Sequence, residues 1–393
     1  MTVDNRSFIP KYSRLLRKTL SSKLIVDYVV RRTLAPFGPA RRHFNLYLRT
    51  ASPEDVPHQR ADPGAPVKVS IPIDARMQAH LETYTHGLEG CLEPGRLNLS
   101  TDVRVYRLAD CALLPWLGVT LHRPSEQVIS GGVDAQPRVV SRTRTIDGLV
   151  ISMLDSPRGH NHYFHFFEHL TLLMRALSWQ DPAAPITLLV RETLSSFQTA
   201  AFEALLRRRP NLTLVPIAND EVVLPEKLLL IKRQPGPIIC WFALIEEWRE
   251  IGAMMREAYG PAPPPFDRKV HLTRSRQKVR RLLNEAELAP VFAKYGFETI
   301  APETLSFADE VRLMMQCREV ASVEGAGVTN IIFCDQPIRL ILMDPREILN
   351  PFWEGLTLQL GFDFDYVQSG PARWYDGFEV EPAALEAALG RVG

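Results

Sequence analysis

Between positions 268 and 281 the chain places Arg268, Lys269, Arg274, Arg276, Lys278, Arg280 and Arg281 with no acidic residue among them. Guanidinium groups match phosphate oxygens through planar, bidentate hydrogen bonds, and Ser275 adds a hydroxyl, so this loop suits a diphosphate. The alternative is a solvated basic turn. A second run, Val323-Glu-Gly-Ala-Gly-Val-Thr-Asn330, has the form of a strand-to-helix turn. Glycines there let the backbone approach a ligand, and the N–H groups of the next helix point at an anion. Tight packing of helix on sheet explains the same glycines. Together the two runs nominate Arg274, Ser275, Arg276, Arg280, Glu324, Gly325, Ala326, Gly327, Thr329 and Asn330 as an anion-binding edge. The third run, Gly159-His-Asn-His-Tyr-Phe-His-Phe-Phe-Glu-His169, carries His160, His162, His165 and His169 of the chain's 10 histidines. On a helix His162, His165 and His169 share a face, a spacing compatible with a metal. With no HExxH and no evident fourth ligand, no metal is expected. A histidine beside Glu168 suits general-base work, because its pKa lies near neutrality and a carboxylate can hold the ring. A satisfied structural histidine is the other reading.

These residues need elements to hold them at one edge. Short apolar pieces at Val67–Ile73, Val103–Leu108 and Val139–Val150, separated by turn residues, predict a strand-rich stretch. A helix is expected over Tyr163–Trp179, a buried strand over Ile186–Arg191, a helix over Phe197–Arg208, a strand over Leu212–Pro216 and a helix over Glu246–Tyr259. Gly260-Pro-Ala-Pro-Pro-Pro265 then reads as a stiff hinge. Beyond it strands are expected at Lys269–Thr273, Phe297–Ala301, Glu319–Val323 and Arg339–Met343. Helices are expected at Asn284–Tyr295, at Phe307–Cys317 behind a Ser306 cap, and at Val328–Cys334. That alternation is the layout of a parallel nucleotide-binding sheet, in which ligands sit at the carboxyl ends of the strands.

A chain of 393 residues exceeds one ordinary core. The expected division is a basic N-terminal segment and linker (1–66), an α/β unit (67–260) and a second α/β unit with a C-terminal tail (261–393). Hydrophobic residues at 46% and charged residues at 23% exclude a disordered or fibrous chain. A net charge of +1 argues against a dedicated nucleic-acid binder. Five cysteines without CxxC spacing suggest neither a disulfide framework nor a zinc knuckle, and no window is apolar enough to span a bilayer, so a cytoplasmic location is expected. Residues 1–50 hold Arg6, Lys11, Arg14, Arg17, Lys18, Lys23, Arg31, Arg32, Arg41, Arg42 and Arg49 against Asp4 and Asp27, with leucines at helical spacing. Such a helix can lie on an anionic inner leaflet, gaining about 1 kcal/mol per basic residue at the surface, or pack on its own protein with a solvated basic face. Ser52–Pro66, rich in Pro, Asp and Gly, reads as a linker or exposed loop.

In order along the chain, Tyr163-Phe-His165-Phe, the Arg-Ser-Arg loop with Arg281-Leu-Leu-Asn-Glu285, Glu303-Thr-Leu-Ser-Phe307 and Gly325-Ala-Gly-Val-Thr-Asn330 resemble glycosyltransferase family 61. The resemblance covers roughly 160–345. It implies two Rossmann-like domains facing a cleft (GT-B type), a nucleotide-diphosphate sugar as donor, a glycan or lipid-linked glycan acceptor, no cofactor, and inverting transfer without a metal. It matches Arg274 and Arg276 to arginines near the donor diphosphate, Gly325, Gly327 and Asn330 to the glycine turn and following helix, and His165 to the family's N-terminal-domain histidine. The chain departs from the pattern at Glu324, where the family usually has His, at His162, usually Asn, and at Glu168, an acid one place early. A catalytically impaired nucleotide-sugar-binding or scaffold protein is the rival expectation. Asp363-Phe-Asp365 is similar to the paired acids that hold a divalent ion in other transferases, but its late position reads as a strand end outside the nucleotide layout.

Overall fold

The computed structural model describes residues 52–61, 65–84, 88, 90–115, 118–125, 127–131, 142–154, 162–234, 236–260, 265–344, 351–368 and 377–391. The basic segment 1–50 and the proline run 261–264 lie outside the described residues, as does His160.

The molecule is α/β, with two sheets that contain parallel strands and a small antiparallel one. The first sheet takes β1 (His58–Arg60), β5 (Val103–Leu108), β6 (Cys111–Leu114), β7 (Val119–His122), β8 (Gln127–Gly131), β9 (Arg142–Ser152), β10 (Ile186–Arg191), β11 (Leu212–Ile217) and β12 (Glu221–Arg233). Its parallel part runs β11-β10-β9-β12, with β5 and β6 antiparallel on β12. The small sheet is β2 (Val67–Pro72), β4 (Arg96–Thr101) and β3 (Leu92–Glu93). The last five strands, β13 (Arg268–Leu272), β14 (Phe297–Ile300), β15 (Cys317–Val323), β16 (Arg339–Asp344) and β17 (Asp363–Gln368), form an all-parallel sheet in the order β14-β13-β15-β16-β17.

Burial explains the pattern. In β15 Val320 packs into one hydrophobic cluster while Ala321 and Val323 pack into another, the period of two expected of a strand covered on both faces. The larger cluster joins Ile151 and Leu188 of the first sheet to Val320 and Leu340 of the second through three intervening helices. These are α2 (Tyr163–Ser178), which contributes Phe167, α4 (Ile245–Tyr259), which contributes Trp248, and α6 (Phe307–Gln316), which contributes Val311. The remaining helices are α1 (Ala75–Leu81), α3 (Ser196–Arg208), α5 (Glu285–Lys294), α7 (Phe352–Leu360) and α8 (Pro382–Leu389). Ser306 caps α6 as expected, its Oγ accepting from the Asp309 N–H at 3.2 Å. Gly296 ends α5 at a φ of 77°, in the left-handed region glycine favours.

Four expectations change. The linker stretch from Ser52 contributes a capped 3-10 turn (Pro53–Asp55) and β1, which pairs with β5. The strand β12 was not expected: Pro225 and Glu226 interrupt its apolar pattern, and the structure accommodates them by a register shift between Pro225 and Lys227. Opposite it, Gly148 adopts a φ of 78° and donates its N–H to Glu226 Oε2 at 2.7 Å. The helix expected at Val328–Cys334 is a 3-10 helix, Ala326–Phe333. Asp363 and Asp365 lie on β17, inside the second sheet. Asp365 is taken by Arg339, whose Nε donates to it at 2.8 Å, by Arg391 at 2.7 Å and by Arg76.

The 3-10 helix is seated against α4 at Gly252, where a Cβ would fall 2.0 Å from the Ile332 carbonyl oxygen. Backbone must move to admit it. Gly252→Ala should therefore destabilise the protein by about 1–3 kcal/mol despite alanine's better helix propensity, read as a lower urea midpoint. Gly236→Ala, with nothing within 4 Å of its Cβ position, is the control and should leave the midpoint near that of the unmodified chain.

Candidate active site

The second sheet carries a topological switch point, the place where neighbouring connections leave on opposite sides and open a crevice at the strand ends. It lies between β13 and β15, and the arginine loop and the glycine turn follow those two strands. In the first sheet the adjacent parallel strands β9 and β12 end at Ser152 and Arg233 and stand beside α2. The sequence thus delivers three of its candidate groups to strand ends by chain order alone.

Arg274 is the centre of the second-sheet edge. Its guanidinium lies on the backbone of Gly325, where a Cβ would sit 2.1 Å from Arg274 Nη1. Its Nε is buried with no hydrogen-bond partner among the described residues. Burial, reinforced by the positive charge of Arg280, pulls the guanidinium pKa down to about 10, although Glu324 and Glu303 pull the other way. Arg280 holds a φ of 53°, a left-handed conformation that costs a non-glycine residue about 1 kcal/mol or more. From there its Nη1 donates to Glu324 Oε2 at 3.2 Å. Ser275 and Arg276 are exposed, and the Ser275 N–H donates to Thr273 Oγ1 at 3.0 Å. Ala326 and Gly327 are half-buried. Thr329 and Asn330, by contrast, are buried at 0% and 3% exposure, beneath the edge.

On α2, His165 Nδ1 stands 3.4 Å from Glu168 Oε2, and Glu168 Oε1 accepts from Arg233. Arg233 in turn lies over the Trp241 ring, 4.8 Å from its centroid. Burial pushes the Glu168 carboxyl up. The hydrogen bond from His165 and the charge of Arg233 outweigh it and hold the pKa at about 2. His169 approaches the same oxygen at 3.9 Å, and its pKa is lowered chiefly by burial. His162, the residue before α2, has its ring 4.9 Å from that of His165, and its pKa is lowered by burial and then by the charges of His165, Arg280 and Arg274. The arginine loop and the start of α2 are therefore electrostatic neighbours. A direct chain joins them as well: the Tyr163 hydroxyl donates to Asn330 Oδ1 at 2.5 Å, and Asn330 Nδ2 donates to Glu310 Oε2 at 2.9 Å. Burial pushes the Glu310 carboxyl up to about 7.

The structure so brings Arg274, Arg280, Glu324, Gly325, His162, His165 and Glu168 into one neighbourhood. Sequence reasoning missed Arg233 and Glu310. Arg233 ends a strand that the proline obscures, and Glu310 carries no local signal beyond its place in α6. A cavity of about 150 Å³, lined by Ser130, Ser152, Met153, His169, Leu172, Leu229, Leu230 and Ile231, opens at the strand ends of the first sheet. Among the described residues no three His, Cys, Asp or Glu side chains are grouped to hold a metal ion.

The family model described as Glycosyltransferase 61 matches residues 147–341. That span starts within β9, ends within β16 and contains α2, the arginine loop and the glycine turn. No curated protein matches the chain.

The depressed pKa of Glu168 ties stability to pH. Its folded value of about 2 lies below the ordinary 4.5, so its contribution is present above pH 4.5 and fades as pH falls toward 2. A shift of that size corresponds to about 3 kcal/mol. Glu168→Gln should lose much of this at pH 7 and show a flatter stability profile between pH 4.5 and pH 2, measured by chemical denaturation at each pH. An unchanged profile would mean that the ion pair with Arg233 contributes nothing.

Proposed function

The chain belongs to glycosyltransferase family 61, and from that premise we propose that it moves a hexosyl or pentosyl unit from a nucleotide-diphosphate sugar to a hydroxyl of a glycan or lipid-linked glycan acceptor. Transfer inverts the anomeric centre and uses no metal, and the two sheets with parallel strands belong to two Rossmann-like halves facing a cleft in the GT-B manner. The observation that carries this reading is the buried, unpartnered Arg274 Nε resting on Gly325 at the end of β13. A desolvated guanidinium at the switch point of a parallel sheet is a site for phosphate oxygens.

The residues take the following roles. With its Nδ1–H toward Glu168, His165 keeps Nε2 for the acceptor hydroxyl and takes its proton as that oxygen bonds to the anomeric carbon. The bond from that carbon to the diphosphate breaks, and the negative charge left on the departing oxygen is met by Arg274, Arg276 and Arg280. Preorganised charge of this kind is commonly the largest catalytic contribution. The exposed Ser275 hydroxyl and the backbone at Gly325, Ala326 and Gly327 complete the phosphate side. The rival scaffold reading rests on Glu324, whose negative charge would repel a diphosphate. Its carboxylate faces Arg280, which neutralises it.

The five cysteines are buried thiols, and no helix among the described residues is long and apolar enough to cross a membrane. We place the reaction in capsular, extracellular or lipopolysaccharide synthesis on the cytoplasmic side, with the basic segment 1–50 resting on the inner leaflet.

The test is a thermal-shift series with UDP, GDP, CDP and dTDP and their sugars. The cognate nucleotide at a hundred times its Kd should stabilise the protein by about 2.7 kcal/mol. Arg274→Ala should abolish most of that shift, whereas His165→Ala should retain it and lower turnover by about 100-fold or more. Stabilisation by none of these nucleotides, together with no cleavage of their sugars, would overturn the proposal. Gly325→Ala separates site from scaffold. The three atoms nearest the new Cβ all belong to the flexible Arg274 side chain, so the denaturation midpoint should stay near that of the parent while nucleotide affinity falls about tenfold. A parent-like affinity would show that the guanidinium need not rest on this turn.

A further inference from the structure

Family resemblance hands Asn330 to the donor, but its side chain is 3% exposed and both ends of its carboxamide are engaged within the protein, by Tyr163 at 2.5 Å and by Glu310 at 2.9 Å. Three elements meet in this chain of bonds. Tyr163 is the first residue of α2, two positions before His165. Asn330 lies in the 3-10 helix that follows the glycine turn. Glu310 lies in the first turn of α6, whose start is fixed by the Ser306 cap. The Tyr163 ring is held between Phe167 and Phe197, with centroids at 5.0 and 4.7 Å, so its hydroxyl has little freedom to look for another acceptor.

A carboxyl buried enough to titrate near 7 is costly where an apolar side chain would fill the space. What the polar chain supplies is direction: packing contacts tolerate sliding, whereas hydrogen bonds in series fix one register. We propose that Glu310 is a positioning residue that acts through Asn330 and Tyr163 to set the start of α2, and with it His165, against the glycine turn and Arg274. This rests on the reading of His165 as the base. Asn330 is then a strut between the two halves of the site and not a donor ligand.

The experiment uses the full chain carrying Tyr163→Phe, Glu310→Leu or Glu310→Gln, with histidine-selective 15N labelling. Tyr163→Phe and Glu310→Leu should both move the His165 ring resonances. Turnover at saturation should fall about tenfold or more while the affinity for the stabilising nucleoside diphosphate stays within about twofold, the signature of lost alignment at retained binding. Glu310→Gln keeps an oxygen to accept from Asn330 Nδ2 and should recover most of the turnover lost in Glu310→Leu. Unmoved His165 resonances in both Tyr163→Phe and Glu310→Leu would overturn the proposal. So would a loss confined to nucleotide affinity, which would return Asn330 to the donor. The resonances report without any substrate. Should no nucleotide or nucleotide sugar act on the protein, the catalytic reading fails, and the His165 signal still decides the coupling.

Discussion

The contact on which the candidate site depends is the one between the Arg274 guanidinium and the bare backbone of Gly325. It closes the crevice floor between β13 and β15, two strands that are parallel neighbours in register from Lys269 to Leu272. Any side chain at Gly325 occupies the volume of the guanidinium. The contact is made with backbone, and Arg274 Nε stays without a hydrogen-bond partner among the described residues. Arg280 performs the complementary task. Its left-handed conformation turns the loop back so that Glu324 is answered by a second guanidinium rather than by Arg274.

The same division of labour recurs on the other side. Glu168 sits among His165, His169 and Arg233, and the arginine satisfies one carboxylate oxygen while the histidine faces the other. A carboxylate already paired with a cation can still orient an imidazole through its second oxygen. The stacking of Arg233 on Trp241 fixes the cation from behind. The carboxylates of Glu168 and Glu324 are thus each paired with an arginine, Arg233 and Arg280.

Much of this could be read in the chain. Ile186–Arg191 is recognisable because a strand buried on both faces is mainly apolar, and α6 because Ser306 caps a periodic helix. The arginine and glycine runs were legible because each follows such a strand. What could not be read depends on partners far away in sequence. Glu221 looks unsuited to a strand until Arg142 and Arg144 of β9 are seen to pair with it, and Arg233 and Glu168 are 65 positions apart. Asp365 resembles a metal ligand only while Arg76, Arg339 and Arg391 are unknown. The 3-10 geometry after the glycine turn has a local cause that was overlooked. Val328, Thr329, Ile331 and Ile332 are β-branched and crowd the α-helical turn.

The placement of α1 sets a timing problem for biosynthesis. His80 Nε2 lies 2.9 Å from Glu354 Oε1, a partner 274 positions later, and Arg76 donates at 2.8 Å to the Phe364 carbonyl, 288 positions later. At about 5–20 residues per second a ribosome needs roughly 15 s to a minute to supply those partners. During that interval the side chains of Met77, His80 and Leu81, all buried in the finished protein, have no surface of the second sheet to cover them. The helix α1 is thus held in waiting for α7 and the last strand. Glu354 and Phe364 also follow every candidate site residue in the chain, so α1 gains this cover only after both parts of the candidate site have been synthesised.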